Sequence, residues 1–159
     1  MSPWAPAPEL VEGRGGGDHK DGGGDAMAQS RRYIKREATQ ARAYSPAVIT
    51  QGGTTIWLAG QTVLEDASGK SLAGDFDAQV REVFARLAKT LEEAGGKLAD
   101  MVTMTVFITD GRYGDRFVQL RRDIFGDNFP ASALITVTGL ARPGMLVEVQ
   151  GIAVVADDA

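Results

Sequence analysis

Between Asp75 and Gly96, the residues Val80, Val83, Phe84, Leu87 and Leu91 recur at helical spacing. Asp75 can accept a hydrogen bond from the first free N–H groups of a helix beginning at Phe76, and Gly95-Gly96 can end it. A helix with one apolar stripe must lay that stripe against another element. The flanking segments supply the partner. Ala47–Gln51, Thr54–Ala59, Met101–Thr109, Ser132–Thr138 and Leu146–Val155 read as strands, the third rich in β-branched residues. Asp115–Phe125 reads as a second helix, with Phe117, Leu120 and Phe125 on or near one face and Gly126 closing it. Arg32–Glu37 reads as a short edge strand or a lead-in, and Gly52-Gly53 as a two-residue hairpin signal. The order strand, strand, helix, strand, helix, strand, strand makes an α+β domain, packed most economically as two helices on one face of a mixed sheet. The other sheet face then needs cover, and self-association is the expected source.

A chain of 159 residues is of one-domain length. Residues 1–26 differ from the rest, holding 7 of the 20 glycines, 3 of the 6 prolines and five acids against two bases. Such a segment cannot bury enough surface to offset its conformational entropy and is expected to be disordered. Met27 follows directly and offers a translation start, so the first 26 residues need not be native. The expected division is a tail over 1–31 and a folded domain over 32–159.

Composition excludes several kinds of chemistry. There are no cysteines, hence no disulfides, thiol catalysis or cysteine zinc sites. The only histidine, His19, lies in the tail, so a histidine triad or histidine metal site in the core is ruled out. Nothing here supplies a ligand set for a metal or an organic cofactor. The net charge of −4 and the lack of a basic stripe with interleaved aromatics argue against nucleic acid. The short basic clusters, Arg31-Arg32 with Lys35-Arg36 and Arg121-Arg122, read as solvated faces. No apolar run approaches the roughly 20 residues of a membrane helix, and no signal-peptide pattern opens the chain. A cytoplasmic location is expected.

Four stretches carry a family resemblance when read together. They are Ala43-Tyr44-Ser45-Pro46-Ala47-Val48; Trp57-Leu58-Ala59-Gly60-Gln61; Val102 to Asp110 (VTMTVFITD) after a helix ending in Ala94-Gly95-Gly96; and Phe129-Pro130-Ala131 followed by Leu146-Val147-Glu148-Val149. In order and spacing they resemble the Rid/YjgF family from about Ala43 to Val155. The resemblance implies a chorismate-mutase-like fold assembled as a homotrimer, with small pockets at the subunit contacts. It also implies cofactor-free hydrolysis of reactive imines and enamines to carbonyl compounds and ammonia.

That chemistry needs a cation or strong donor for a substrate carboxylate, a carboxylate to position or deprotonate water, and backbone donors to fix the rest. Glu148 falls where the family has a glutamate in its final strand. Flanked by Val147 and Val149, it faces the opposite side of a strand from them, and it is the candidate catalytic residue. Tyr44 matches a tyrosine that walls the pocket. Gly60 matches a glycine whose backbone approaches ligand, although a glycine can equally serve a strand end or bulge. Ser132 is the departure, since imine-hydrolysing members carry arginine there. Serine supplies neither charge nor a two-pronged clamp, and a loss of about 3 kcal/mol of binding would cost over a hundredfold. Ala59 and Gln150 depart further, standing where many members have serine and some have a second acid. Arg142, in the turn Leu140-Ala141-Arg142-Pro143-Gly144, is the candidate to lend charge instead. Ser132 has no core histidine to activate it as a nucleophile.

Two readings stay open. One is a RidA-like hydrolase of altered specificity, with Glu148 catalytic and Tyr44, Gly60, Ser132 and Arg142 binding substrate. The other is a non-catalytic trimeric protein of the same fold that binds a metabolite or a partner. Ribonuclease action, a name attached to this family, ranks below both because of the charge and the missing histidine.

Overall fold

A computed structural model describes residues 29–157. The expectation of disorder over residues 1–26 lies outside the described residues. The elements are β1 (Ser30–Ile34), α1 (Glu37–Ala41), β2 (Ala47–Gln51), β3 (Thr54–Gln61), α2 (Phe76–Glu93), β4 (Met101–Ile108), α3 (Gly114–Phe125), β5 (Ala131–Thr136) and β6 (Val147–Val155). Strand β1 begins two residues ahead of the expected boundary at 32.

The long helix α2 forms as its pattern requires. Asp75 accepts a hydrogen bond from the Ala78 N–H at 3.0 Å, which satisfies one of the free donors of the first turn. At the other end Gly95 takes a φ of 80°, a conformation that glycine adopts without strain. Val80, Val83, Phe84, Leu87 and Leu91 are all buried.

Four strands form one mixed sheet in the order β3-β6-β4-β5. β6 runs antiparallel to both of its neighbours, and β5 runs parallel to β4. Helix α2 therefore links the parallel strands β3 and β4, and α3 links β4 and β5. Met104, Val106, Ile108, Val147, Val149 and Ala153 point to one side, where they pack on α2 and α3. The register pairs Phe107 with Glu148 and Thr105 with Gln150, so these residues share the other face. Trp57 pairs with Ile152 on that same face and is 76% exposed.

The hairpin expected at Gly52-Gly53 is not formed as a ladder. Both glycines take positive φ, 66° and 82°, and bend the chain. However, β2 pairs with β1 and β3 pairs with β6. The β1–β2 ribbon is pinned by side chains instead. Arg31 donates to the carbonyls of Val154 and Ala99, each at 2.6 Å, and meets Asp100 at 3.3 Å. Gln29 donates to the Val154 carbonyl at 2.7 Å. Gly53 passes so close to the Val155 carbonyl that a Cβ there would overlap it.

Gln79 is a buried amide on α2 that fastens two loops to the core. Its Nε2 donates to the carbonyls of Leu72 and Gly144 at 2.9 and 2.8 Å, and its Oε1 accepts from the Leu146 N–H at 2.8 Å. Among the described residues no helix is long and apolar enough to cross a membrane.

Candidate functional site

Glu148 and Gly60 meet. The β3–β6 ladder shifts register between Leu58 and Gln61, a bulge that carries Ala59 and Gly60. Opposite it, the Glu148 carboxylate lies over Gly60 so closely that a Cβ at Gly60 would overlap Oε1. The glycine thus holds a bulge position, and its missing side chain makes room for the Glu148 carboxylate. Glu148 is half-buried on the sheet face turned away from the helices.

Tyr44 and Ser132 also meet, but elsewhere. Ser132 pairs with buried Met104, so it belongs to the helix side of the edge strand β5. Tyr44 is brought there by the exit from α1. Ala43 is fully buried, takes a φ of 55°, and packs with Val118 and Phe129. A non-glycine residue in that region carries a cost of about 1 kcal/mol, here held by surrounding contacts. The Tyr44 N–H donates to the Thr39 carbonyl at 3.1 Å, and the Ser45 N–H to the Pro130 carbonyl at 3.1 Å. Tyr44, Ser132, Arg42, Arg121, Val118 and Leu134 line a cavity of about 260 Å³.

Arg121 corrects the reading of the Arg121-Arg122 pair as a solvated face. Arg122 is exposed, whereas Arg121 is only 2% exposed. Its Nη1 donates to Ser132 Oγ at 2.6 Å and its Nη2 to the Arg42 carbonyl at 2.8 Å. Burial first, and the nearby Arg42 charge second, hold its guanidinium down to about 10. The signal that could have found it is spacing: Arg121 follows Phe117 by four residues and adjoins Leu120, placing it on the apolar stripe of α3.

Arg142 joins neither group. It is exposed in a separate depression with Thr62, Glu65, Arg86 and Met145. Within one chain the five candidates therefore fall in three places: Glu148 with Gly60, Tyr44 with Ser132, and Arg142 alone. Among the described residues no group of three or more His, Asp or Glu side chains is placed to hold a metal ion.

Fold and sites together define a small α+β domain with two helices on one face of a mixed sheet and a glycine-seated carboxylate on the other. The chain belongs to the Rid/YjgF family, and the family model described as Endoribonuclease L-PSP matches residues 35–155. It is 28% identical over 127 residues to a RutC family protein of Pyrococcus abyssi, covering 80% of this chain and 98% of that one. The crystal structure of YyfB, a Rid family protein of unknown function from Yersinia pestis, superposes with a TM-score of 0.68 at 28% identity. That match covers 79% of this chain and 98% of the other. RidA from a Psychrobacter species superposes with a TM-score of 0.59 at 30% identity, covering 70% of this chain and 88% of that one. Family membership supports a RidA-like or related small-molecule function.

Proposed function

We propose that this protein is a RidA-like hydrolase that converts reactive imines or enamines to carbonyl compounds and ammonia, as a cytoplasmic homotrimer without a cofactor. The observation that carries this reading is the Glu148 carboxylate seated over Gly60. A glycine at that point leaves room for the carboxylate, which a side chain there would displace. Glu148 takes a proton from water as the oxygen adds to the C=N carbon. Returning that proton to nitrogen gives the carbinolamine. Passing its hydroxyl proton to the same nitrogen through the carboxylate lets ammonia leave as the carbonyl forms, so that one imine and one water give one carbonyl compound and one ammonia.

The trimer is supported by the open sheet face, where Trp57 and Ile135 are 76% and 42% exposed. A large aromatic so far out of the core favours cover by another copy. A trimer in which the β5 edge of one copy met the open face of the next would unite groups that a single chain keeps apart.

The test is ammonia release from 2-iminopropionate generated in situ by an amino-acid oxidase. The wild type is expected to accelerate release, and Glu148→Ala to lose about 10²–10⁴-fold of that acceleration with its mass by light scattering unchanged. Full activity in Glu148→Ala would sink the catalytic role. The second reading, a metabolite-binding protein without turnover, is favoured by the uncharged Ser132. Thermal stabilisation by 2-oxo acids without ammonia release would establish it.

A further inference from the structure

Arg121 is the one buried charged side chain among the described residues, and no carboxylate there forms an ion pair with it. Its partners are neutral: a serine hydroxyl and a backbone carbonyl, with the Phe117 ring centre 5.3 Å from the guanidinium carbon. Nε is buried and has no partner. A guanidinium has five N–H donors, and two are engaged here. Taking a charge from water without a counter-charge is expensive, even after the surroundings relax. The nearby charge is another cation, Arg42, which is itself paired with Asp115 at 2.7 Å on the surface. With its guanidinium held at about 10, Arg121 still carries its proton at neutral pH.

A structural duty as a clasp on the end of α1 accounts for little of this. Arg122 already donates to the carbonyls of Gln40 and Ala41, at 3.1 and 2.9 Å, from the exposed side. Arg121 gives one of its donors to that end and turns another to Ser132, at the wall of the cavity. At about 260 Å³ this cavity lies below the usual range of roughly 300–1,000 Å³ for drug-sized ligands and suits a molecule of a few heavy atoms.

We propose that Arg121, carried by helix α3, holds the carboxylate of a small 2-oxo or 2-imino acid in this cavity, and that Ser132 is the positioning residue that aims its guanidinium. The inference rests on the hydrolase reading for the class of ligand. Ser132 then does not mark a lost cation. The cation comes from the helix instead of the strand, and residue 132 is small and neutral because a second guanidinium would compete with Arg121 for space and repel it. Restoring arginine at 132, which the family resemblance suggests as a repair, becomes a damaging change.

The test is calorimetric titration of the full chain with pyruvate and with pyruvamide, its uncharged counterpart. Wild type is expected to bind pyruvate and to bind pyruvamide at least about tenfold more weakly, as befits a charge-assisted pair. Arg121→Gln, folded by circular dichroism, is expected to lose about tenfold or more for pyruvate and little for pyruvamide. Ser132→Ala removes only the hydroxyl and is expected to weaken pyruvate severalfold. Ser132→Arg is expected to weaken it as well, and Arg121→Gln combined with Ser132→Arg to recover part of the loss, a rescue that a packing role would not produce. Should Arg121→Gln fail to fold, the two Ser132 variants decide. The proposal is overturned if wild type does not bind pyruvate, if Arg121→Gln binds it unchanged, or if Ser132→Arg binds it more tightly. Ammonia release from 2-iminopropionate separates this from the hydrolase reading. Arg121-dependent pyruvate binding without ammonia release keeps the anion site and ends the hydrolase. Release that needs Glu148 but not Arg121 does the reverse.

Discussion

Glu148 and Ser132 stand on strands separated only by β4, yet they belong to different environments. Glu148 pairs with Phe107 on the sheet face that no helix covers, and its immediate neighbour is the backbone of a bulge. Ser132 pairs with Met104 on the helix side and is held by a side chain from α3. The first region is built within the sheet, by strand parity and one glycine. The second is built between layers, by an arginine eleven positions earlier in the chain that reaches across. A site of the first kind changes when a strand residue changes. A site of the second kind can exchange its charge between layers, so one position read alone misstates what the pocket contains.

The largest effect that would sharpen this contrast belongs to Gly60→Ala. Gly60 lies outside the positive-φ region that strains a side chain, so the backbone accepts alanine. The added methyl overlaps the end of the flexible Glu148 side chain, which must swing away. Misplacement by about 1 Å can cost roughly a hundredfold in rate, and a drop of that size in ammonia release is expected with an unchanged melting curve. Pyruvate affinity at the Arg121 cavity should stay as in the wild type. A variant that melts early would mean that Gly60 serves the bulge alone.

On the helix side the matching probe is Gln79→Ala. It strips the Leu72 and Gly144 carbonyls and the Leu146 N–H of their buried partner. Leaving such groups unsatisfied costs about 1–3 kcal/mol, which denaturant titration would read as a lower midpoint with an unchanged slope. The effect should fall on stability and spare the Glu148–Gly60 seat. A loss of less than about 0.5 kcal/mol, within the range of an ordinary surface substitution, would show that these loops are held by something else.

The same contrast explains what was legible in the sequence. Helix α2 and strand β4 announce themselves because their periods are long and their apolar residues face one core. Strand parity alone put Glu148 opposite Val147 and Val149, both of which are fully buried. The ribbon of β1 and β2 escaped because Gly52-Gly53 fixes a bend but not which strands pair after it; Arg31 and Gln29 decide that from a distance. Helix α1 has five residues, too few to show a period. Gln79 is a polar residue within an apolar stripe, and Arg121 is half of a dibasic pair. Local composition assigns both to solvent, and only tertiary partners keep them inside. The family resemblance fixed the fold but could not reveal that helix α3 carries a cation beside Ser132.

The smallest effect lies where the two helices are joined. Arg116 on α3 forks onto the Asp77 carboxylate in the first turn of α2, with Nε at 2.9 Å from both oxygens. These hydrogen bonds hold the Asp77 carboxyl below its ordinary value of 3.8. A carboxyl depressed in the folded state contributes stability above its unfolded value and loses it as pH falls through the folded one. Both side chains are substantially exposed, 43% and 38%, so water and salt screen most of the attraction. Asp77→Asn is expected to lower the melting temperature by only about 1–2 °C at neutral pH. The gap between variant and wild type should close as pH falls below about 4 and should shrink in high salt. A gap that stayed constant down to the lowest pH would assign the effect to the shape of the side chain instead of its charge. Either way, ammonia release by the folded variant should match the wild type, because the bridge fastens the helix layer while Glu148 works on the face those helices leave open.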